Sequence, residues 1–161
     1  DVGLMPAAVT TTAARAPVWP PGLSGSITHT ARIAAAVVSR QAEWPAIGLD
    51  LERAEPMSDD MAELIRHPLD SVDPVLSEPL AATLLFSAKE AAFKAQFPLT
   101  GLWIDYSQVP LTITTDGFTL SVQGVPLSGH WRRAGELFAT TVLIGKEHAD
   151  ALRLGEGVWS V

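Results

Sequence analysis

The sequence contains no cysteine in its 161 residues. Disulfide bridges, thiolate metal sites and cysteine nucleophiles are therefore excluded. The beginning of the sequence also lacks the basic and then apolar pattern of an export signal. Because the absence of cysteine is compatible with a reducing compartment, we expect a cytoplasmic protein.

Long apolar runs and clusters of basic residues are also missing. The longest apolar candidate, residues 33–38, has the length of a strand and falls well short of the roughly 18 residues that span a bilayer, so no membrane anchor is predicted. Lysine and arginine total 11 against 18 acidic residues, which gives a formal net charge of −7. Because a nucleic-acid interface needs clustered basic side chains, we expect no nucleic-acid partner, and any polyanion bound here must be small.

Hydrophobic residues make up 47% of the sequence, which is ample for a packed core. The most strongly helix-forming stretch, residues 80–97, is dominated by Ala, Leu, Lys and Glu. Pro79 and Pro98 bracket this stretch as start and stop signals. The composition therefore predicts a helix over residues 80–97, of roughly five turns.

One lysine lies where a purely structural helix would not place it. At about 100° per residue, Leu85, Phe86, Ala92 and Phe93 share the face that should pack on the core, and Lys89 falls in the middle of that face. Such a lysine either extends its ammonium to the edge of the apolar face or meets a buried anion that offsets its desolvation.

Glu90 and Lys94 lie four residues apart on the flank of the same helix. Alone, this pair would be read as an exposed ion pair that stabilises the helix by a few tenths of a kcal/mol. The neighbouring Lys89 favours a functional interpretation instead.

Two acidic residues lie in a predicted strand over residues 47–52. Strand side chains alternate, so Asp50 and Glu52 share one face with Gly48, opposite the apolar face of the strand. The two carboxylates either face solvent or bind a hard cation such as Mg²⁺, which prefers carboxylate, phosphate and water oxygens. In the second case Glu90 would be a third ligand.

The remaining stretches give a coarse outline of the chain. Residues 22–30 are rich in Gly and Ser and predict a loop, either a flexible turn or a phosphate cradle. Residues 33–40 predict a buried strand in a hairpin with residues 47–52, and residues 58–65 predict a short helix with Ser58 at its N-cap. After Pro98 we predict antiparallel strands over 103–106, 109–114, 118–123, 129–133 and 137–145, a helical turn over 146–152, and packing of Trp159 against the domain. These elements indicate an α+β fold.

Three segments together resemble the 4'-phosphopantetheinyl transferases, in the surfactin-type and enterobactin synthase component D-like branch that serves siderophore, polyketide and nonribosomal-peptide synthetases. The motifs occur in the order and spacing of that family. They are Trp19-Pro20-Pro21-Gly22-Leu23-Ser24-Gly25-Ser26-Ile27-Thr28-His29, Ile47-Gly48-Leu49-Asp50-Leu51-Glu52 and Phe86-Ser87-Ala88-Lys89-Glu90-Ala91-Ala92-Phe93-Lys94.

The resemblance implies an α+β fold of two pseudo-twofold halves with antiparallel sheets. Residues 1–52 would form the C-terminal part of the first half, with the Gly/Ser loop and the carboxylate strand. Residues 53–161 would form the second half, around the helix 80–97. The basic, helical region that precedes these motifs in relatives has no counterpart here, so we expect the N-terminal half to be incomplete.

The resemblance also implies a role for each unusual residue. Asp50, Glu52 and Glu90 would bind Mg²⁺, and Glu90 and Lys94 would be the catalytic pair. Coenzyme A would be held through its diphosphate by Lys89 and Lys94, through its 3'-phosphate by Ser26 and His29, and by Arg15.

The implied activity is Mg²⁺-dependent transfer of 4'-phosphopantetheine from coenzyme A to a serine of an acyl or peptidyl carrier protein, by a monomeric enzyme. The alternative is a non-catalytic module that binds coenzyme A or a carrier protein. A Ser/His/Asp hydrolase is disfavoured because a nucleophile elbow needs a glycine two residues after Ser24, where this sequence has Ser26.

Overall fold

The computed structural model describes residues 8–73 and 78–155. The elements within these ranges form an α+β fold, as the sequence predicts. The strands are β1 (Thr10–Thr11), β2 (Pro17–Val18), β3 (Leu23–His29), β4 (Ala34–Arg40), β5 (Ala46–Arg53), β6 (Ser71–Val72), β7 (Leu111–Ile113), β8 (Gly117–Val122), β9 (Val125–Ala134) and β10 (Leu137–Ile144), and the helices are α1 (Asp59–Ile65), α2 (Glu78–Thr100) and α3 (Lys146–Leu154). None of the helices in the described ranges is long and apolar enough to cross a membrane.

A six-stranded sheet in the order β5-β10-β9-β8-β7-β6 forms the centre of the domain. Its strands are antiparallel except for the short parallel pair of β6 and β7. Helix α2 packs across β5 and β10. The helix residues that are fully or almost fully buried in this core are mostly small: Ala81, Ala82, Leu84, Leu85, Ala88, Ala91, Ala92 and Ala95.

The small residues allow α2 to lie very close to β5. A Cβ atom placed on Gly48 would overlap the carbonyl oxygen of Ala91 and lie 2.9 Å from the amide nitrogen of Ala95. The helix backbone therefore rests directly on the strand backbone at Gly48. This contact sets the height at which Glu90 and Lys94 lie above the carboxylate of Asp50.

We expect Gly48→Ala to destabilise the protein by about 3 kcal/mol, because the added methyl group must push α2 away from β5. Urea unfolding measures the loss. Gly145→Ala is the matched control, since a Cβ there meets nothing closer than the Trp44 ring at 3.9 Å. Equal stability of Gly48→Ala and the control would contradict the close contact of helix and strand.

The ends of α2 differ from the prediction of residues 80–97. The helix begins at Glu78, with Pro79 in its first turn, where a proline removes no helical hydrogen bond. Pro98 lies inside the last turn, so its prediction as a stop signal is wrong. The helix ends at Thr100 because Gly101 adopts a left-handed conformation with φ of 67° and donates its N–H to the carbonyl of Phe97 at 2.8 Å.

Strand pairing in the first third of the chain also differs from the prediction. Residues 23–29 form β3 rather than a loop, and β3 pairs with β4, whereas β5 pairs with β10. The predicted hairpin between β4 and β5 is therefore wrong. Strand β4 is also not buried, because its side chains alternate between exposed and half-buried. Local patterns identify a strand but do not specify which distant strand it pairs with.

The other predicted elements are confirmed, with changes at their ends, except for one strand. Residues 103–106 do not form a strand; Tyr106–Gln108 is a 3-10 helix whose N-terminus is capped by the side chain of Asp105. The capping box of Asp105 and Gln108 stabilises this turn over an extended conformation. The predicted packing of Trp159 lies outside the described residues.

Candidate functional site

A cavity of about 340 Å³ lies between residues 14–17, strand β3 and the C-terminal half of α2. Four of the predicted site residues line it: Arg15, Ser26, Glu90 and Lys94. The wall formed by α2 and the segment after it is largely aromatic, with Phe93, Phe97, Trp103 and Tyr106. The cavity therefore combines an apolar wall with cationic and anionic groups.

Lys94 bridges two carboxylates at the base of this cavity, that of Asp50 on strand β5 and that of Glu90 on helix α2. Its ammonium donates to Asp50 Oδ1 at 2.6 Å and lies 3.6 Å from Glu90 Oε2. Because residues four apart lie on the same face of a helix, α2 places Glu90 and Lys94 side by side above β5. The structure thus brings the predicted catalytic pair, which includes the predicted metal ligand Glu90, together with a second predicted metal ligand, Asp50.

Asp50 is buried, with 3% of its surface exposed, and hydrogen bonds fix its carboxylate from three directions. Besides the bond from Lys94, Thr28 on β3 donates to Oδ1 at 3.1 Å and Ser87 on α2 donates to Oδ2 at 2.9 Å. The Ser87 hydroxyl also lies 2.9 Å from the hydroxyl of Thr140 on β10. Residues from two strands and the central helix therefore orient this carboxylate. Thr28 and Ser87 lie within the quoted motifs, where no contact with Asp50 was predicted for them, and no sequence pattern had indicated Thr140.

Glu52 lies two residues further along β5, on the same face as Asp50. The pKa of its carboxyl is raised from 4.5 to about 7, mainly by burial and then by the negative charges of Asp50 and Glu90, whereas Lys94 acts to lower it. Three carboxylates and one ammonium therefore influence one another at this position. A bound cation would relieve the repulsion that this excess of negative charge causes.

This raised pKa predicts a pH-dependent effect of Glu52→Gln. The folded protein binds the Glu52 proton more tightly than the unfolded chain, so the free energy of unfolding of the wild type should fall as the pH rises from about 4.5 to about 7. The variant should lack this loss, match the wild type near pH 4 and exceed its stability above pH 7. Urea unfolding at several pH values in the presence of a chelator measures this difference in stability. Glu63→Gln, at an exposed position, is the control. Parallel stability curves for Glu52→Gln and the wild type would contradict the prediction.

The prediction of a metal site meets a mixed result in the structure. In residues 8–73 and 78–155 no group of three or more His, Asp or Glu side chains is arranged closely enough to hold a metal ion. The donor chemistry nevertheless suits Mg²⁺, since Asp50, Glu52 and Glu90 are all carboxylates, and the charges of Asp50 and Glu90 add to the burial that raises the pKa of Glu52. The assignment of these three residues as metal ligands stays a prediction.

Lys89 has different partners from those expected. Its side chain is 2% exposed, and its ammonium donates to Asp70 Oδ2 at 2.7 Å, to the carbonyl of Ile65 at 2.8 Å and to the carbonyl of Tyr106 at 2.9 Å. Burial lowers the pKa of Lys89, an effect that the bond and the charge of Asp70 oppose. All three N–H donors are thus occupied, and the buried anion that its position demands is Asp70 instead of a coenzyme phosphate.

Asp70 was not identified from the sequence, where it lies in an acidic loop without a motif. Its carboxylate accepts hydrogen bonds from the backbone N–H groups of His67 and Leu111, both at 2.8 Å, as well as from Lys89. A lysine on an apolar helix face signals either an exposed ammonium or an acid that faces it. Which of the 18 acidic residues serves is decided only by the folding of the loop onto α2.

The predicted coenzyme contacts outside α2 fall in different places. Ser26 is buried, lines the cavity and accepts a hydrogen bond from the N–H of Leu49 at 3.0 Å. Arg15 is exposed, with a left-handed φ of 63°, and also lines the cavity. His29 is exposed at the end of β3 and is not among the residues that line this cavity.

Tyr106 is a site residue that the sequence did not reveal, because it was predicted within a strand. Its hydroxyl donates a hydrogen bond to Glu90 Oε1. Burial raises the pKa of Tyr106, and the bond to Glu90 raises it further. The hydroxyl therefore stays protonated and remains a donor to the Glu90 carboxylate.

Comparison with known proteins identifies the family to which this fold and site belong. The family model described as the 4'-phosphopantetheinyl transferase superfamily matches residues 46–149, and the model of the 4'-phosphopantetheinyl transferase N-terminal domain matches residues 1–39. The chain is a member of the 4'-phosphopantetheinyl transferase superfamily, which confirms the resemblance of its three motifs. The predicted division of the chain after residue 52 stays a prediction.

Individual relatives agree with this assignment. The chain is 33% identical over 140 residues to 4'-phosphopantetheinyl transferase PptT of Mycobacterium tuberculosis, covering 80% of this chain and 62% of that protein. It is 31% identical over 162 residues to 4'-phosphopantetheinyl transferase Svp of Streptomyces mobaraensis, covering 88% and 65% respectively. Over 88 residues it is 47% identical to enterobactin synthase component D of Salmonella typhimurium, covering 50% and 35%. The chain thus spans less than two thirds of the length of these relatives.

Proposed function

We propose that this chain transfers 4'-phosphopantetheine from coenzyme A to a serine of an acyl or peptidyl carrier protein. The observation that carries the proposal is the cavity beside α2, where the family motif residues Glu90 and Lys94 meet Arg15 and Ser26. Its volume of about 340 Å³ lies within the usual range of ligand pockets, roughly 300 to 1,000 Å³.

Coenzyme A would be held mainly by two cations that line this cavity from different parts of the chain. Lys94 extends from α2 and Arg15 from the segment before β2, so the diphosphate can lie between an ammonium and a guanidinium. Lys89 is left out of this contact, because a phosphate would have to displace Asp70 or a backbone carbonyl from its ammonium. Contacts of Ser26 and the exposed His29 with the 3'-phosphate remain part of the proposal.

We also propose that Mg²⁺ takes part, held by Asp50, Glu52 and Glu90. The support is the donor chemistry of three carboxylates and the raised pKa of Glu52, which a cation would lower. When bound, Mg²⁺ would neutralise charge on the diphosphate.

In the proposed reaction the carrier serine oxygen attacks the β-phosphorus of coenzyme A. The bond between that phosphorus and the oxygen bridging it to the α-phosphate breaks, and the electron pair leaves with 3',5'-ADP. Glu90 accepts the serine proton, directly or through a water, and Lys94 stabilises the negative charge that develops on the diphosphate. Most of the catalysis is positioning of the two reactants in one cavity.

The proposed partners follow from the same chemistry. A carrier protein of a siderophore, polyketide or nonribosomal-peptide synthetase would supply the serine, and one relative is named as an enterobactin synthase component. We propose that the protein acts as a monomer in the cytoplasm. Because it is acidic overall, with a net charge of −7, docking to a carrier protein should rely on apolar contacts more than on charge.

The test is incubation of the chain with coenzyme A, Mg²⁺ and several apo carrier proteins, followed by mass spectrometry of each carrier. We expect a mass gain of one phosphopantetheine on at least one carrier, and no gain when its acceptor serine is replaced by alanine. A melting shift with coenzyme A but no mass gain on any carrier would instead support the non-catalytic binding module.

A further inference from the structure

We propose that Tyr106 is a positioning residue for the transfer reaction, which fixes the carboxylate of Glu90 through its hydroxyl. This inference rests on the proposed function and adds to it a residue outside the three sequence motifs. Tyr106 lines the cavity, and its hydroxyl donates to Glu90 Oε1.

Tyr106 is itself held by three independent interactions. Its carbonyl accepts a hydrogen bond from Lys89 at 2.9 Å, and its ring packs edge-on against Phe86 with the ring centroids 5.7 Å apart. Tyr106 is also the first residue of the 3-10 helix whose N-terminus is capped by the capping box of Asp105 and Gln108. A side chain anchored through its backbone, its ring and its turn can impose an orientation on a neighbour.

The consequence for Glu90 is that its two oxygens have different partners. Oε1 accepts from the Tyr106 hydroxyl, while Oε2 lies 3.6 Å from the Lys94 ammonium. Because Oε1 is hydrogen-bonded to Tyr106 in the aromatic wall, Oε2 is directed toward the charged base of the cavity. The proposed proton transfer takes place there. Without the hydroxyl, the flexible glutamate side chain could rotate away from this position.

The role predicts a specific kinetic effect of Tyr106→Phe, which keeps the ring and removes only the hydroxyl. We expect kcat to fall roughly ten- to hundredfold, as for loss of one hydrogen bond to a charged group, with KM for coenzyme A changed less than about twofold. Phe86→Leu is the matched control, because it removes the ring contact but keeps the hydroxyl. Because the hydrogen bond from Lys89 and the capped turn still hold Tyr106, Phe86→Leu should lower the melting temperature and leave kcat within about twofold of wild type.

A double-mutant cycle separates positioning from a general structural role. If Tyr106 acts through Glu90, the variant carrying both Tyr106→Phe and Glu90→Ala should turn over no more slowly than Glu90→Ala alone. Additive losses in the cycle, or wild-type kcat in Tyr106→Phe, would overturn this inference while the proposed function stands. Absence of transfer by the wild-type chain would overturn the proposed function and this inference together.

Discussion

Replacing Lys89 with methionine should destabilise the protein by about 3 to 5 kcal/mol, since it leaves the buried carboxylate of Asp70 without its counterion. The methionine keeps the length of the side chain but none of its three donors, so the carbonyls of Ile65 and Tyr106 also lose a partner. The loss should be seen in urea or thermal unfolding without any ligand. Asp70→Asn should have a similar effect, because the ammonium then loses the carboxylate to which it is hydrogen-bonded.

Two comparisons make this prediction specific. Lys146→Met breaks an ion pair with Asp150 in which the lysine side chain is 81% exposed, and it should change stability little because solvent screens the pair. The combined variant Lys89→Met with Asp70→Asn should recover part of the loss, because no unpaired charge remains buried and the amide oxygen can still accept from a backbone N–H. If Lys89 instead served a coenzyme phosphate, Lys89→Met would keep the stability of the free protein and reduce only the melting shift with coenzyme A.

Replacing Glu90 with glutamine should reduce the rate of phosphopantetheine transfer by a factor of roughly 100 to 10,000, the usual contribution of a general base. Glutamine keeps the shape of the side chain and can still accept the hydrogen bond from Tyr106, but it can neither take up the serine proton nor provide a charged ligand. Mass spectrometry of the carrier protein over time measures the rate.

Stability distinguishes this loss from unfolding. Glu90→Gln should keep the melting temperature close to that of the wild type, because the lost attraction to Lys94 is offset by relief of repulsion with Glu52. Glu63→Gln, on the exposed side of α1, should retain full activity. A Glu90→Gln variant that folds and transfers at the wild-type rate would remove Glu90 from the mechanism.

The sequence alone was sufficient for the features that depend on near neighbours in the chain. The period of the helix placed Glu90 beside Lys94, and the alternation of the strand placed Asp50 and Glu52 on one face with Gly48, as the structure has them. The position of Lys89 on an apolar face correctly required either an exposed ammonium or a buried anion. These inferences succeed because helix and strand geometry is a local property.

The tertiary structure decided which distant groups meet these residues. Strand β5 pairs with β10 instead of β4, and only this pairing brings Thr140 to Ser87 and Asp50. Likewise, Asp70 became the partner of Lys89, and Tyr106 that of Glu90. Such pairings depend on loop closure and on competition among many chemically equivalent partners, for which neither periodicity nor composition carries a signal.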